Sequence, residues 1–487
     1  RRAAHGTTAG YEALRTAPPV GKIHLPDASY REMTEWVLPA ETQNEYLDAR
    51  HELEHDPRWH RIAPFVRGGF WRNFKVKYPE ANEMYARMML VSRKLEAASE
   101  TLAGDAMSEV LDEACAELYR GQCNCAYWHG AFGGIYLPHL RNALYRHLIA
   151  ADNLLDLAAG REGAWIEAAG ADFNFDARQE VYVATDKLVA LVAPAAGGML
   201  YELDVRSICH NLLATLARRP EAYHRKVLLG ASQGSGEAAS IHDRVVFKHP
   251  NLEQRLIYDR HPRKSLIDHF FDVAVPAEMV ARGEAAELGD FVAGAYEARL
   301  RRNPDRIQVQ MVRDGMVQGV PLRITKGLTL EAGSSSVEIA YMIEGLPLDR
   351  VFHFAVELNF AGMPSGADDR YFHDGNGERL GQLGTKLNLN EATQLALVDE
   401  WLGLEVSLAS NRPTGIWTFP IESVSQSEGG FELVHQSVAV LPHWLVQADQ
   451  YGRWSVRLNL AIDTKNLDEP QRTRRTQREG QKVRSEK

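Results

Sequence analysis

The stretch Gly121–Leu148, GQCNCAYWHGAFGGIYLPHLRNALYRHL, gathers cysteines, aromatic residues, a histidine and glycines, and then continues into a helical pattern. Pro138 suits the first position of a helix, where its missing N–H would be unpaired anyway. After it, Leu140, Leu144, Leu148 and Ala151 recur at the spacing of one helix face. The stretch therefore predicts a glycine-bent, polar and aromatic segment that leads directly into a buried helix.

Two segments before it have the same helical period. From Pro79 onward, the apolar face consists of Met84, Met88, Val91 and Leu95. The next segment repeats the pattern with Met107, Val110, Leu111, Ala114 and Leu118. Three amphipathic helices with short connections predict a helical bundle.

After about residue 172 the apolar period changes to two. The segments VFHFAVELNF (351–360), WSVRLNLAI (454–462) and SSSVEIAYMIEGL (334–346) alternate apolar and polar residues, and turn clusters such as DGNG separate such segments. In the first of them the polar face would carry His353, Glu357 and Asn359. The sequence therefore predicts an α+β multidomain protein, a helical bundle followed by a large antiparallel β-sandwich.

The net charge, the lengths of the apolar runs and the number of cysteines limit the binding partners and the cellular location of the protein. The net charge of −10 argues against nucleic acid as a partner, because phosphates select basic surfaces. No apolar run approaches the roughly 18 residues needed to span a bilayer, which argues against a membrane location. The four cysteines, Cys115, Cys123, Cys125 and Cys209, do not form a disulfide framework in so long a chain. We expect a cytoplasmic protein.

The opening stretch permits several kinds of site. Cys123, Cys125 and His129 would be metal ligands, but C-x-C-x3-H is not a usual zinc spacing, and a disulfide between these two cysteines would be strained. Catalysis by a thiol needs a base and an oxyanion hole that the sequence does not reveal. A metal site and a thiol nucleophile are therefore weakly supported.

Two interpretations remain for the aromatic residues of the stretch. Tyr127, Trp128 and Phe132 would be core residues, with glycines that permit a tight turn. Alternatively, the aromatic rings would hold the C–H face of a sugar, while Asn124 and His129 bond to its hydroxyls. The residues alone leave both interpretations open.

Several segments together resemble one known family. Besides the run NCAYWHGAFGGIYLPHLR (124–141), these are ASYREMTEWVLP, PFVRGGFWRNFKVKYPEANEMYARM, ARRPEAYH, IHDRVVFK and PIESVSQSEGGFELVHQ. They resemble the family-57 glycoside hydrolases, in the branch of 4-alpha-glucanotransferases and related alpha-amylases, and the resemblance extends over residues 22–463. The first run is similar to the fifth conserved region of that family, which borders the active-site cleft.

This resemblance implies an enzyme that acts on alpha-1,4-glucans and maltooligosaccharides, most of all a retaining 4-alpha-glucanotransferase. It implies three parts: a catalytic barrel, a helical middle domain and a sandwich similar to galactose mutarotases. We assign residues 23–165 to the middle domain and 166–463 to the sandwich. Residues 1–22 are expected to be a linker from an upstream barrel that carries the catalytic Glu and Asp, and 464–487 a disordered basic tail.

The resemblance also implies the residues that bind substrate. By position these are Asn124, Cys125, Tyr127, Trp128 and His129. Cys125 stands where the family often has Asp, and a thiol accepts hydrogen bonds from hydroxyls only weakly. We therefore expect a glucan cleft along this run, with altered contacts at Cys125.

Alternatives to this function remain. The chain would be a non-catalytic glucan-binding or structural module if it has no catalytic carboxylates of its own. Glu32, Glu35 and Glu41 lie near the start of the helical part, and of these Glu35 is expected near the cleft. An acid–base pair of His353 and Glu357, as in a mutarotase, is hindered because residues four apart on a strand are separated by about 13 Å.

No cofactor is expected, because neither a dinucleotide fingerprint nor a calcium-binding loop is present and the 230–240 loop lacks the lysine of a phosphate loop. The family resemblance permits a homodimer.

Overall fold

The computed structural model describes residues 31–101, 105–130, 133–230, 247–427 and 429–464. Four features singled out above lie outside the described residues, wholly or almost so. These are the predicted linker 1–22, Phe132, the loop 231–240 with most of the run IHDRVVFK, and the predicted tail from residue 465 onward.

Helices make up the first part of the described chain. They are α1 (Arg31–Glu35), α2 (Ala40–Leu53), α3 (Trp59–Ile62), α4 (Trp71–Lys77), α5 (Pro79–Thr101), α6 (Asp105–Gly121) and α7 (Pro138–Ala158). Two short helices, α8 (His224–Leu229) and α9 (Ala277–Ala281), follow among the strands. None of the described helices is both long enough and apolar enough to cross a bilayer.

The three helices predicted from the apolar period form the bundle. Met84 and Val91 of α5 pack with Leu144 and Leu148 of α7 in one apolar cluster, and Leu118 of α6 joins them. All five side chains are almost completely buried. Burial of these faces stabilises the bundle, because an isolated helix of this length gains little from its backbone alone.

The strands that follow form two antiparallel sheets. They are β1 (Ile166–Ala171), β2 (Glu180–Thr185), β3 (Leu188–Ala193), β4 (Met199–Val205), β5 (His210–Asn211), β6 (Ile267–Phe271), β7 (Glu297–Arg302), β8 (Arg306–Val317), β9 (Val320–Glu331), β10 (Ser336–Glu344), β11 (Val351–Phe360), β12 (Arg370–Asp374), β13 (Arg379–Gln382), β14 (Asn388–Asp399), β15 (Leu404–Ser427), β16 (Gly430–Gln447) and β17 (Arg453–Asp463). The predicted fold class, a helical bundle followed by large antiparallel sheets, is confirmed.

Strands β1 to β5 lie side by side in the small sheet, in chain order. The large sheet runs β13-β12-β14-β15-β17-β10-β9-β8-β7, and β16 links β15 to β11, which also pairs with β6. Side chains of both sheets share one core, in which Val183 and Leu203 of the small sheet lie in the same cluster as Ile324 and Leu358 of the large one.

Strand β11 departs from the simple alternation that its sequence predicts. In β17 the apolar residues are buried and their neighbours exposed, as predicted. In β11 every residue after Val351 is buried, so His353, Glu357 and Asn359 are buried as well. The second face of this part of the sheet is covered, since Val280 and Ala281 of α9 pack there against Ala355. Polar side chains on that face must therefore find partners inside the protein.

A buried charge cluster joins the bundle to the small sheet. Arg87 of α5 lies 3.0 Å from Asp152 of α7 and 2.9 and 3.0 Å from Glu202 and Asp204 of β4. The side chains of all four residues are at most 1% exposed. This cluster fixes how the helices sit on the sheet, because buried charges require partners.

Candidate functional site

The segment after α6 is bent by two glycines. Gly133 and Gly134 have φ angles of 84° and 51°, in the region that glycine adopts without strain. A Cβ atom at Gly134 would lie 1.9 Å from the carbonyl oxygen of Trp128, which accepts a hydrogen bond from Ile135 N. The bend therefore requires glycine at this position, and it returns the chain to the start of α7.

The five predicted substrate-binding residues differ in their exposure. Asn124 and Cys125 are exposed, Trp128 is half-buried, and Tyr127 and His129 are buried. The Tyr127 hydroxyl donates a hydrogen bond to Gly121 O at 2.8 Å, at the end of α6. Tyr127 thus holds the segment in place, while Asn124 and Cys125 face solvent.

Trp128 and His129 belong to an aromatic cluster between the helices. Trp128 stacks on Phe74 with ring centroids 4.5 Å apart. The His129 ring lies 4.6 Å from Trp36 and 4.4 Å from Tyr136, centroid to centroid. Trp128 and His129 thus pack in the core of the helical part, in agreement with the first of the two interpretations of this stretch.

His129 is neutral at physiological pH. Its Nδ1 donates a hydrogen bond to Gly133 O at 2.8 Å, and burial lowers its pKa to about 4. Its Nε2 has no hydrogen-bond partner within the described residues. In that part of the chain Cys123, Cys125 and His129 also bring no three ligand atoms together, so the metal alternative gains no support.

The burial of His129 should make the folding stability of the protein depend on pH. Its pKa rises from about 4 in the folded protein to its ordinary value of 6.5 on unfolding, so the unfolded state binds more protons between these values. Folding stability should therefore fall as pH drops through this window, by up to about 1.4 kcal/mol per pH unit from this residue.

We expect the His129→Phe variant to lack this contribution. Urea unfolding at pH 6.5, 5.5 and 4.5 should give a smaller loss of stability per pH unit in the variant than in the wild type. Equal slopes in the two proteins would contradict the assignment of a buried neutral histidine.

Next to His129 lies a buried glutamate that the sequence analysis did not single out. Glu221 accepts hydrogen bonds from the hydroxyls of Tyr78 and Tyr136, both at 2.7 Å. Lys77 Nζ lies 3.0 Å from its other oxygen. Burial alone would raise the pKa of Glu221, but the Lys77 ammonium and the tyrosine hydrogen bonds outweigh it and hold the pKa below its usual value.

A cavity of 710 Å³ opens beside this cluster. Its wall includes two aromatic residues, Trp36 and Tyr223, and several charged or polar ones, among them Glu32, Glu35, Arg225 and Gln426. Trp36, Tyr223 and Gln426 belong to three separate sequence runs that carry the family resemblance. The fold therefore brings three segments that are distant in sequence, each of which carries the family resemblance, to the wall of one cavity.

No described residue of the glycine segment lines this cavity, but Gly130 lies next to Glu32 of its wall. A Cβ atom there would lie 2.7 Å from Glu32 Oε1 and 3.1 Å from Trp128 Nε1. Because Glu32 lines the cavity, Gly130 is the point at which this segment lies closest to the cavity wall. A side chain at residue 130 would displace either the carboxylate or the indole.

The carboxylates near the cavity do not have equal environments. Glu35 is 7% exposed and forms ion pairs with Arg31 at 3.2 Å and Arg50 at 3.5 Å. Burial raises its pKa more than the two arginines lower it. Glu41 is exposed and does not line this cavity. Two arginine partners suit a structural role for Glu35 better than that of a nucleophile.

The acid–base pair of His353 and Glu357 does not form. His353 Nε2 lies 3.0 Å from His443 Nδ1, whereas Glu357 contacts His261, His269 and Arg263. The two residues therefore take part in different clusters on the covered face of the large sheet.

The fold and the site define a protein in which a helical domain and an antiparallel β domain enclose an aromatic and charged cavity. A family model described as "Alpha-amylase/4-alpha-glucanotransferase, C-terminal" matches residues 172–458. The corresponding model of the middle domain matches residues 69–155. The chain belongs to the alpha-amylase/4-alpha-glucanotransferase family, which confirms the resemblance identified from the sequence.

Characterised relatives carry both names. Alpha-amylase 1 of Dictyoglomus thermophilum is 33% identical over 93% of this chain and 63% of its own length. The 4-alpha-glucanotransferase of Thermococcus kodakarensis is 33% identical over 88% of this chain and 58% of its own. The crystal structure of 4-alpha-glucanotransferase from Thermococcus litoralis aligns with a TM-score of 0.70 and 28% identity, over 93% of this chain and 60% of that one. The chain thus spans about three fifths of the length of these relatives.

Proposed function

We propose that this chain is the C-terminal part of a retaining enzyme that acts on alpha-1,4-glucans, a 4-alpha-glucanotransferase that transfers maltooligosaccharide units. The observation that carries the proposal is the cavity of 710 Å³ lined by Trp36, Tyr223 and Gln426, in a member of the alpha-amylase/4-alpha-glucanotransferase family. Its substrates would be starch-like glucans and maltooligosaccharides.

The cavity has the groups that sugar recognition needs. Trp36 and Tyr223 offer aromatic surface to the C–H face of a glucose ring. Glu32 accepts hydrogen bonds from hydroxyls, Arg225 donates them, and Gln426 does both. This combination binds a polar ring in a defined orientation.

We extend the proposal to the five residues predicted by resemblance. The exposed Asn124 and Cys125 and the half-buried Trp128 would contact a glucan along the rim of the site. Tyr127 and His129 are buried, so we propose that they position the segment instead of reaching the sugar. A cytoplasmic location, a homodimer and the lack of nucleic-acid and membrane partners stay predictions.

In a retaining mechanism, a carboxylate attacks the anomeric carbon and a second carboxyl group protonates the leaving oxygen. The glycosyl-enzyme is then resolved by another glucan or by water. We assign this catalytic pair to none of the described residues. The cavity of this chain would favour transfer of the glycosyl group over hydrolysis, because a glucan bound there would exclude water from the glycosyl-enzyme.

Incubation of the full-length protein that contains this chain with maltoheptaose, followed by separation of the products, tests the proposal. Products both longer and shorter than maltoheptaose would identify a transferase, and release of only glucose and maltose would replace that name by amylase. Binding measured by calorimetry without any turnover would favour the alternative, a glucan-binding module. A chain that neither binds nor converts maltoheptaose would contradict both.

We expect the Trp36→Ala variant to bind maltoheptaose about tenfold more weakly, because loss of one stacking surface costs about 1.4 kcal/mol. Calorimetric titration gives the dissociation constant. Trp401→Ala is a matched control, since Trp401 is 57% exposed and lies outside the cavity. Because Trp36 also contacts His129, the far-ultraviolet dichroism of the variant must match the wild type. Unchanged affinity in a folded Trp36→Ala protein would exclude this cavity as the glucan site.

A further inference from the structure

Two histidines and a glutamate converge on one atom in the β domain. His261 Nε2 lies 2.9 Å and His269 Nε2 lies 3.1 Å from Glu357 Oε2. The three potential ligand atoms all lie within 4.8 Å of one another. His261 precedes β6, His269 lies on β6 and Glu357 lies on the adjacent strand β11, so the sheet register brings the last two together.

The other polar atoms of this cluster are already engaged. Arg263 and Asn359 donate to Glu357 Oε1, at 2.9 and 2.6 Å. His269 Nδ1 donates to Glu287 Oε2 at 2.8 Å. The remaining contacts join Glu357 Oε2 to His261 Nε2 and His269 Nε2, and these are the three atoms that a metal ion would bind in their place. Carboxylate partners of this kind orient histidine ligands in metal sites.

The cluster lies in a cavity of 230 Å³. The side chain of His261 is 16% exposed, whereas those of His269 and Glu357 are 5% and 2% exposed. Phe271 stacks on the His269 ring, with centroids 5.1 Å apart, and fixes its plane. A small ligand could therefore reach the cluster from the cavity while the ligand set stays rigid.

Two imidazole nitrogens and one carboxylate oxygen are the ligand set of zinc sites that keep an open position. Zinc lies about 2.0–2.2 Å from such ligands, which in a tetrahedron places them roughly 3.3 Å apart. The distances of 2.9 and 3.1 Å between the histidine nitrogens and Glu357 Oε2 are close to that value. Each of these two nitrogen–oxygen pairs would separate by about 0.2–0.4 Å to admit the ion.

We propose that His261, His269 and Glu357 form a binding site for a divalent transition metal, zinc above all, whose fourth position faces the cavity. Glu287 and Arg263 support the site through His269 and through the second oxygen of Glu357. The site is separate from the cavity proposed for glucan, because the two cavities share no lining residue.

Metal titration of the untagged, chelator-treated chain tests this proposal. We expect calorimetry to give one Zn²⁺ per chain, and Co²⁺ to give the visible absorption of a tetrahedral site without a thiolate charge-transfer band. That band would instead place the metal at cysteine and overturn the proposal. So would a chain that takes up no stoichiometric metal, in which case the three residues form only a hydrogen-bond network.

Variants locate the metal. His261→Ala should weaken Zn²⁺ binding more than 100-fold, and Glu287→Gln should weaken it about 10- to 100-fold by releasing the His269 ring. His373→Ala is the matched control, since His373 pairs with Glu405 at 3.5 Å but belongs to no group of three potential metal ligands among the described residues. If His261→Ala does not fold, Glu287→Gln decides, because Glu287 is partly exposed at 27%. Wild-type affinity in the folded variants would overturn the assignment.

Discussion

Replacement of Arg87 by methionine is expected to lower the free energy of unfolding by about 3–5 kcal/mol at pH 7. The variant would leave Asp152, Glu202 and Asp204 together in the interface between α5, α7 and β4 without their shared guanidinium. Lys94 would remain beside Asp152 at 2.5 Å, but the other two carboxyls would lose their closest cation. Urea unfolding followed by circular dichroism measures the loss.

The pH dependence of this loss of stability shows whether it arises from the missing charge of Arg87 or from changed packing at residue 87. Burial raises the pKa of Asp204 to about 6 and that of Glu202 well above its usual value, although Arg87 opposes both shifts. Without Arg87 these pKa values rise further, so the folded variant binds more protons than the folded wild type. The deficit should therefore shrink as pH falls from 7 to 5.

Arg93→Met on the same helix is the control. Arg93 is exposed and lies 5.2 Å from the Phe175 ring, so its loss should cost less than about 1 kcal/mol. A deficit of Arg87→Met that is small, or that stays constant between pH 7 and 5, would contradict the assigned role of the charge cluster.

Replacement of Glu221 by alanine is expected to cost a similar amount, about 3–5 kcal/mol. The change leaves the Lys77 ammonium, 8% exposed, without its partner and removes the acceptor of the Tyr78 and Tyr136 hydroxyls. Glu253→Ala provides the control, because Glu253 is exposed and its loss should change stability by at most about 0.5 kcal/mol.

A double-mutant cycle identifies the cause. Tyr136→Phe should cost about 1.5–3 kcal/mol in the wild type, since it removes a hydrogen bond to a charged group. In the Glu221→Ala background the same change should cost little, because the hydroxyl no longer has this acceptor. If the losses of stability in the two single variants add up to the loss in the double variant, the interaction between Tyr136 and Glu221 does not stabilise the protein.

The helices α5, α6 and α7 and the strands β10, β11 and β17 were predictable because their apolar residues repeat with a period that local geometry fixes. Met84 and Val91 on α5, and Leu144 and Leu148 on α7, were predicted to be buried and are buried. The alternation in β17 was also correct. In α5, α7 and β17 one face is covered and the other is largely open, so the pattern of the sequence records the burial directly.

The same argument failed for the covered face of β11. His353, Glu357 and Asn359 follow the polar positions of an alternating strand, yet all three are buried. Their burial depends on α9 and on the chain before β6, which are far away in sequence. Periodicity within ten residues carries no information about what a distant segment will cover.

The sequence by itself determined the family, the helices of the bundle, the β character of the second half and the glycine bend before α7. Only the tertiary structure decided which side chains meet: Glu221 with Tyr78 and Tyr136, Trp36 with Tyr223, and His261 and His269 with Glu357. The physical reason is that propensity and periodicity act between neighbours along the chain. Ion pairs, cavities and ligand sets instead form between residues that are close in space, whatever their separation in sequence, and they depend on the register and packing of whole elements.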